Sequence, residues 1–216
     1  MTKKTTLYIT RHGQTEWNVE RRIQGYTDSP LTATGKLQAS WLGAALEDTE
    51  FTTIYASSSG RTQQTAEIIR GTRQLPIIAS DDLREIGLGS WEGRLTEEIQ
   101  LEDPEEYQAY RDTPHLYQAR HGGETFDQIR QRVVTKIHEI VTHHEGQNIL
   151  VVTHAVAIKA LMNDLEERPL ARFWEPPFIH PTSLSKIIYR DRIPTIELYG
   201  DISHYQIPIE TPERKR

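Results

Sequence analysis

Residues 5–10, Thr-Thr-Leu-Tyr-Ile-Thr, form a β-branched and aromatic run that reads as a buried strand. Runs of the same kind recur at 51–56, 75–79 and 148–153, the last being the clearest. Helical patterns fall between them. Thr32 can cap a helix whose Leu37, Trp41 and Ala45 share a face. Serines 57–59 can cap the free amides of a helix that carries Thr65, Ile68 and Ile69. Asp103, Pro104 and Glu106 read as cap, first-turn proline and reaching glutamate of another helix. Phe126, Ile129, Val133, Ile137, Ile140 and Val141 form one apolar stripe, and residues 155–161 read as a buried helix. Two final runs, 183–189 and 195–199, read as a hairpin at a sheet edge. Strands alternating with helices predict an α/β fold, a three-layer α/β/α sandwich around a mostly parallel sheet. Strands ending at Thr10, Ala56 and Thr153 should be parallel neighbours. No linker or repeat divides the chain, so residues 1–216 are expected to form one domain. Residues 211–216 are polar and read as a frayed end.

Charge appears where the first strand leaves the core, in Arg11-His12-Gly13-Gln14-Thr15-Glu16-Trp17-Asn18. In open α/β sheets, ligands bind beyond the carboxyl ends of the strands. Gly13 permits close backbone approach and a sharp turn. Arg11 offers a planar cation suited to phosphate oxygens, and neutral His12 is a candidate nucleophile. The tripeptide alone is no signal: Arg120-His121-Gly122 repeats it and follows no strand pattern. Its company lifts the first copy. Arg61 follows the second strand, where serine caps and a helix dipole favour an anion, Glu85 follows the third, and His154 ends the fourth.

The run from Arg11 to Asn18, with Arg61, Glu85 and His154 in their settings, resembles the histidine phosphatase superfamily, which includes phosphoglycerate mutase and its phosphatase relatives. The resemblance spans about residues 7–189 and implies a phosphoglycerate mutase-like fold. It further implies that His12 is the nucleophile and becomes phosphohistidine. Arg11, Arg61 and a protonated His154 would hold the phosphoryl oxygens, and Glu85 would protonate the leaving group. Asn18, Gln24, Gly25 and the backbone of Ala155 would add contacts to the phosphoryl group or its carrier. Glu92, before Gly93, matches a structural turn of the family and ranks second as the acid. The segment from His121 to Thr125 resembles the family's Gly-Glu-Ser segment with Thr for Ser. Ala155-Val156 departs from the glycine-rich pattern that commonly follows the second histidine. Ala155 keeps its N–H for an anion, while Val156 narrows the pocket.

Around residues 94–120 the pattern weakens. We expect a helical insertion near the pocket mouth, with Tyr107, Tyr110 and Tyr117 mainly in packing roles but close to where substrate preference is set. His138, His143 and His144 are expected as surface residues near a helix end.

The 216 residues carry 25 basic and 31 acidic side chains, a net charge of −6, so a phosphate site must rest on local cations. Nothing in that balance predicts nucleic acid or an anionic membrane as a partner. With no cysteine, disulfides, thiolate catalysis and cysteine-based zinc sites are excluded. The start lacks an apolar signal core and no run has the length of a membrane span, so a cytoplasmic protein is expected. The expected activity is metal-independent hydrolysis of small phosphomonoesters, with no cofactor and no metal. The expected partners are a small phosphorylated metabolite, or phosphate or sulfate in the site. A monomer or homodimer is expected. The interval from Glu85 to His154 is shorter than in family mutases, which favours a phosphatase. A cofactor-dependent phosphoglycerate mutase and a non-catalytic phospho-ligand binding module are the alternatives.

Overall fold

The computed structural model describes residues 4–207, so the expected fraying of 211–216 lies outside the described residues. Among the described residues, six strands form one sheet in the order β3-β2-β4-β1-β5-β6. They are β1 (Lys4–Arg11), β2 (Thr53–Ser57), β3 (Ile77–Ser80), β4 (Asn148–Thr153), β5 (Leu184–Arg190) and β6 (Ile193–Asp201). β4 pairs in parallel with β1 on one side and β2 on the other, as expected for strands ending at Thr10, Ala56 and Thr153. β5 and β6 form the antiparallel edge hairpin. Its turn residues, Asp191 and Arg192, both take positive φ, which suits a tight hairpin turn.

Among the described residues, seven helices accompany the sheet: α1 (Glu16–Glu20), α2 (Ala33–Ala45), α3 (Gly60–Arg70), α4 (Thr96–Glu102), α5 (Pro104–Asp112), α6 (Phe126–His143) and α7 (Ala155–Leu165). Alternation along the strands sorts the core into two faces. Leu7, Ile9, Ile149 and Val151 pack with the apolar residues of α6 and α7. Leu150, Val152, Ile54 and Ala56 pack with Ala39 and Leu42 of α2 and Ala66 and Ile69 of α3. The result is the expected three-layer sandwich. The whole predicted stripe of α6 is buried, at roughly 1.5–3 kcal/mol per large side chain. Thr125 caps this helix in a box with Gln128.

Several local expectations are corrected. Leu37 and Ala45 are exposed, and the buried side of α2 is Gly35, Gln38, Ala39, Trp41 and Leu42. The helix is rotated because Gly35 presses against the loop after β1: a Cβ on Gly13 would lie 2.4 Å from Gly35 O. Asp103 makes no capping bond from its side chain. Glu106 reaches across to the amides of Gln118 and Arg120 instead of back along its helix. His144 is buried, with ring nitrogens on Tyr55 Oη and Gln147 Oε1, whereas His138 and His143 are exposed as expected. Trp91 gathers Tyr107, Tyr110, Tyr117 and a stacked His121, so α5 and the segment after it rest on an aromatic core. The second Arg-His-Gly tripeptide thus contributes to packing.

Candidate active site

Strand register brings the two histidines together. Arg11, the last residue of β1, sits opposite Thr153, the last of β4. His12 follows and donates its backbone N–H to Thr153 O at 3.0 Å, while His154 follows Thr153 directly. The imidazole centroids are 5.3 Å apart, and the residues are 3% and 0% exposed. Thr65 of α3 accepts Gly13 N–H at 3.1 Å and so fixes the turn after His12.

His12 Nδ1 is 2.7 Å from Gly13 O. A carbonyl only accepts, so the ring proton is on Nδ1 and Nε2 carries the lone pair. Burial, followed by the charges of Arg61 and Arg11, holds the His12 pKa well below its ordinary value. Burial and the charges of Arg61, His12 and Arg11 do the same to His154.

Arg61 is 1% exposed in the first turn of α3. Its Nη1 donates to Thr27 O at 2.8 Å and Asp28 Oδ1 at 2.9 Å. Its Nη2 donates to Gly25 O at 2.9 Å and reaches His154 Nδ1 at 3.2 Å. Arg11 Nη1 donates to Ile179 O at 2.9 Å. Each guanidinium is therefore held from behind by the protein. The buried Nε atoms of both, and Gln24 Oε1, have no partner among the described residues.

Glu85 lies between single 3₁₀ turns at 81–83 and 89–91, on a loop tied to β4 by Thr153 Oγ1 donating to Leu83 O at 2.6 Å. Its carboxylate accepts from Ile86 N at 3.0 Å, Val156 N at 3.2 Å and Ala157 N at 3.3 Å. Burial raises the Glu85 pKa above the usual carboxylate range, although those amides and the Arg61 and Arg11 charges oppose it.

The other predicted residues occupy distinct places. Gly25 takes φ +52°, and a Cβ there would lie 2.2 Å from Glu92 Oε1. Its carbonyl holds Arg61, and Gln24 precedes it. Asn18 Oδ1 accepts Thr15 N–H in the capping box of α1. Ala155 opens α7, and the next two amides, of Val156 and Ala157, are taken by Glu85. Glu92 accepts from Tyr26 N, Thr27 N, Thr27 Oγ1 and Leu88 N, all at 2.8–3.0 Å, which makes it a clamp between two loops.

The expected serine caps of α3 are corrected. Ser59 makes no capping bond from its side chain, and Asp28 Oδ1 receives the Arg61 N–H at 3.3 Å. Ser57 Oγ lies 2.8 Å from His154 Nε2. Sequence reasoning missed Ser57, Asp28 and Thr65 as site partners. The position of Ser57 at the end of β2, level with the other strand ends, was the available signal.

Among the described residues, no group of three or more His, Cys, Asp or Glu is placed to hold a metal ion. No helix among them is long and apolar enough to cross a membrane.

A sequence profile described as the histidine phosphatase superfamily (branch 1) matches residues 7–202. The chain belongs to this superfamily. The solved structure of Bacillus stearothermophilus YhfR is 46% identical and superposes with a TM-score of 0.91, covering 93% of this chain and 98% of that one. Phosphoglycerate mutase-like protein 4 of Arabidopsis thaliana is 32% identical over 202 residues, 93% of this chain and 86% of its own length. Phosphoserine phosphatase 1 of Hydrogenobacter thermophilus is 34% identical over 168 residues, 78% of this chain and 79% of its own. Fold, family and enzyme class are those the sequence led us to expect.

Proposed function

We propose that this superfamily member is a metal-independent phosphatase of small phosphomonoesters, working through a phosphohistidine on His12. The tautomer of His12 carries this reading: Gly13 O takes the Nδ1 proton, leaving Nε2 as a nucleophile that needs no separate base. Nε2 attacks phosphorus in line. Arg11, Arg61 and His154, protonated beside the dianion, hold the equatorial oxygens where transition-state charge lies. Asn18, Gln24, Gly25 and Ala155 complete the cradle. The unpartnered Nε atoms of both arginines support this role, since an anion supplies the missing acceptor. Glu85, with its raised pKa, gives a proton to the leaving alkoxide, then takes one from the water that cleaves phosphohistidine.

A phosphoglycerate mutase is the second reading, supported by the mutase-like relative. The short interval from Glu85 to His154 favours hydrolysis. The ligand is a small phosphorylated metabolite, encountered in the cytoplasm by a monomer or homodimer.

A phosphate-release screen of phosphorylated metabolites, run beside an assay of phosphoglycerate isomerisation, tests the reading. Quenching with labelled substrate should trap label that survives base and is lost in acid, and His12→Ala should abolish it. Label retained in His12→Ala moves the nucleophile elsewhere. Isomerisation faster than release makes the chain a mutase. Neither activity on any substrate leaves a phospho-ligand binding module.

A further inference from the structure

We infer that Arg132 and Glu124 form a positioning pair that sets the direction of the Glu85 carboxyl. The inference rests on Glu85 being the proton donor.

The acid loop has no strand or long helix to hold it between its two short turns. The Arg132 guanidinium shares that task with Thr153, which holds Leu83 O. From α6, Arg132 Nη1 donates to Asp82 O at 3.0 Å and Arg84 O at 3.1 Å, with Asp81 O at 3.4 Å. Its Nη2 donates to Glu85 O at 3.3 Å. Arg132 also pairs with the Glu124 carboxylate through Nε at 3.0 Å and Nη2 at 2.7 Å, a two-point contact that fixes the plane of the guanidinium. Glu124 binds the loop on the other side of Glu85. Its Oε2 accepts Gly87 N–H at 2.9 Å, and its own N–H donates to Gly87 O at 2.7 Å.

The pair thus grips the backbone on both sides of Glu85 and touches Glu85 only through its carbonyl. Backbone orientation decides where the Cα–Cβ bond points, and therefore where the carboxyl arrives. The amides of Val156 and Ala157 hold the carboxylate end. The Arg132 and Glu124 side chains are 17% and 20% exposed, so solvent screens their contact little. The cost of losing such a grip falls on proton transfer, where a displacement of about 1 Å can cost on the order of 10²-fold.

The test compares leaving groups. In Arg132→Gln, phosphoenzyme formation from a primary alkyl phosphate should slow on the order of 10²-fold. The burst of nitrophenolate from nitrophenyl phosphate should slow far less, because that group leaves without a proton. Arg132→Lys and the milder Glu124→Gln should fall between wild type and Arg132→Gln in the same selective sense. Glu85→Gln is run in parallel. Equal losses on both leaving groups in the Arg132 and Glu124 variants, with Glu85→Gln still selective, overturn the positioning role, as does no loss on either. Equal losses in Glu85→Gln itself overturn the acid assignment, and the positioning role with it.

Discussion

Arg61 Nη2 lies 3.2 Å from His154 Nδ1, and this contact fixes the tautomer of the second histidine. A guanidinium has donors only, so Nδ1 accepts and Nε2 carries the ring proton. Ser57 Oγ, 2.8 Å away, receives it. A second proton enters at Nδ1, so Arg61 Nη2 must turn from the ring to the anion as His154 becomes imidazolium, while Ser57 keeps the first proton in place.

Ser57→Ala should therefore weaken catalysis through His154. Hydrogen bonds to charged groups are worth about 1.5–3 kcal/mol, which corresponds to a fall in kcat/KM of about 10- to 100-fold. Ser57→Thr, which keeps the hydroxyl, should recover most of it. Equal losses in Ser57→Ala and Ser57→Thr would mean that the site needs serine's size and not its oxygen.

Glu92 should behave as structure, unlike Glu85. It gathers the amides of Tyr26, Thr27 and Leu88, and it thereby supports the carbonyls of Gly25 and Thr27 that hold Arg61. Glu92→Ala should lower Tm by roughly 5–10 °C, as a loss of about 2–3 kcal/mol does in a chain of this size. Phosphate should bind more weakly and leaving-group dependence should stay as in wild type. An unchanged Tm with a selective loss on alkyl phosphates would make Glu92 the proton donor.

Stability should fall on mild acidification. His12 and His154 are held well below 6.5 in the fold, so between pH 6.5 and their folded pKa values the unfolded chain binds protons that the native chain refuses. Their contribution is fully present above pH 6.5 and is lost as pH falls, by up to about 1.4 kcal/mol per pH unit for each histidine. Glu85 acts in the opposite sense, because its raised pKa favours the native state until pH rises through it. Two histidines against one carboxyl leave a net decline. Urea midpoints should drop from pH 7.5 to 5.5, and less steeply in His154→Gln. A midpoint that rises toward pH 5.5 would mean the imidazoles are not buried as neutral rings.

Much of this architecture was legible in the sequence because it rests on periodicity. The α6 stripe, the β4 run and the histidines just past β1 and β4 are all legible from the local pattern of residues. The orientation of α2 was not legible. It depends on the contact of Gly35 with Gly13, between elements far apart in the chain until the sheet forms. The serines before α3 were misread for a related reason. Local capping chemistry points to them, but Asp28 takes the Arg61 amide that Ser59 would cap, and His154 engages Ser57 once β2 and β4 pair. Arg132 sits on the helix beside the stripe like any solvated arginine, and only the fold brings the carbonyls of Asp81, Asp82, Arg84 and Glu85 to it.

The last prediction concerns the proton that His154 gains. Sulfate is a suitable probe because it stays a dianion across neutral pH, so any proton taken up on binding belongs to the protein. At pH 7 both imidazoles are neutral, since burial and the arginine charges hold their pKa values down. An anion between Arg11 and Arg61 cancels that repulsion and favours imidazolium. Binding should therefore take up about one proton, and affinity should fall as pH rises. Calorimetry at fixed pH in buffers of different ionisation enthalpy reads the proton count as the slope of observed heat against buffer enthalpy. His154→Gln should still bind sulfate through the arginines, more weakly, with a slope near zero. A slope that persists in His154→Gln would place the proton on His12 or on Glu85, whose pKa the arginine charges also hold down, and Glu85→Gln separates the two. A protonated His12 Nε2 has no lone pair to attack with, so sulfate would then mark an inhibited state and not the arrangement from which phosphohistidine forms.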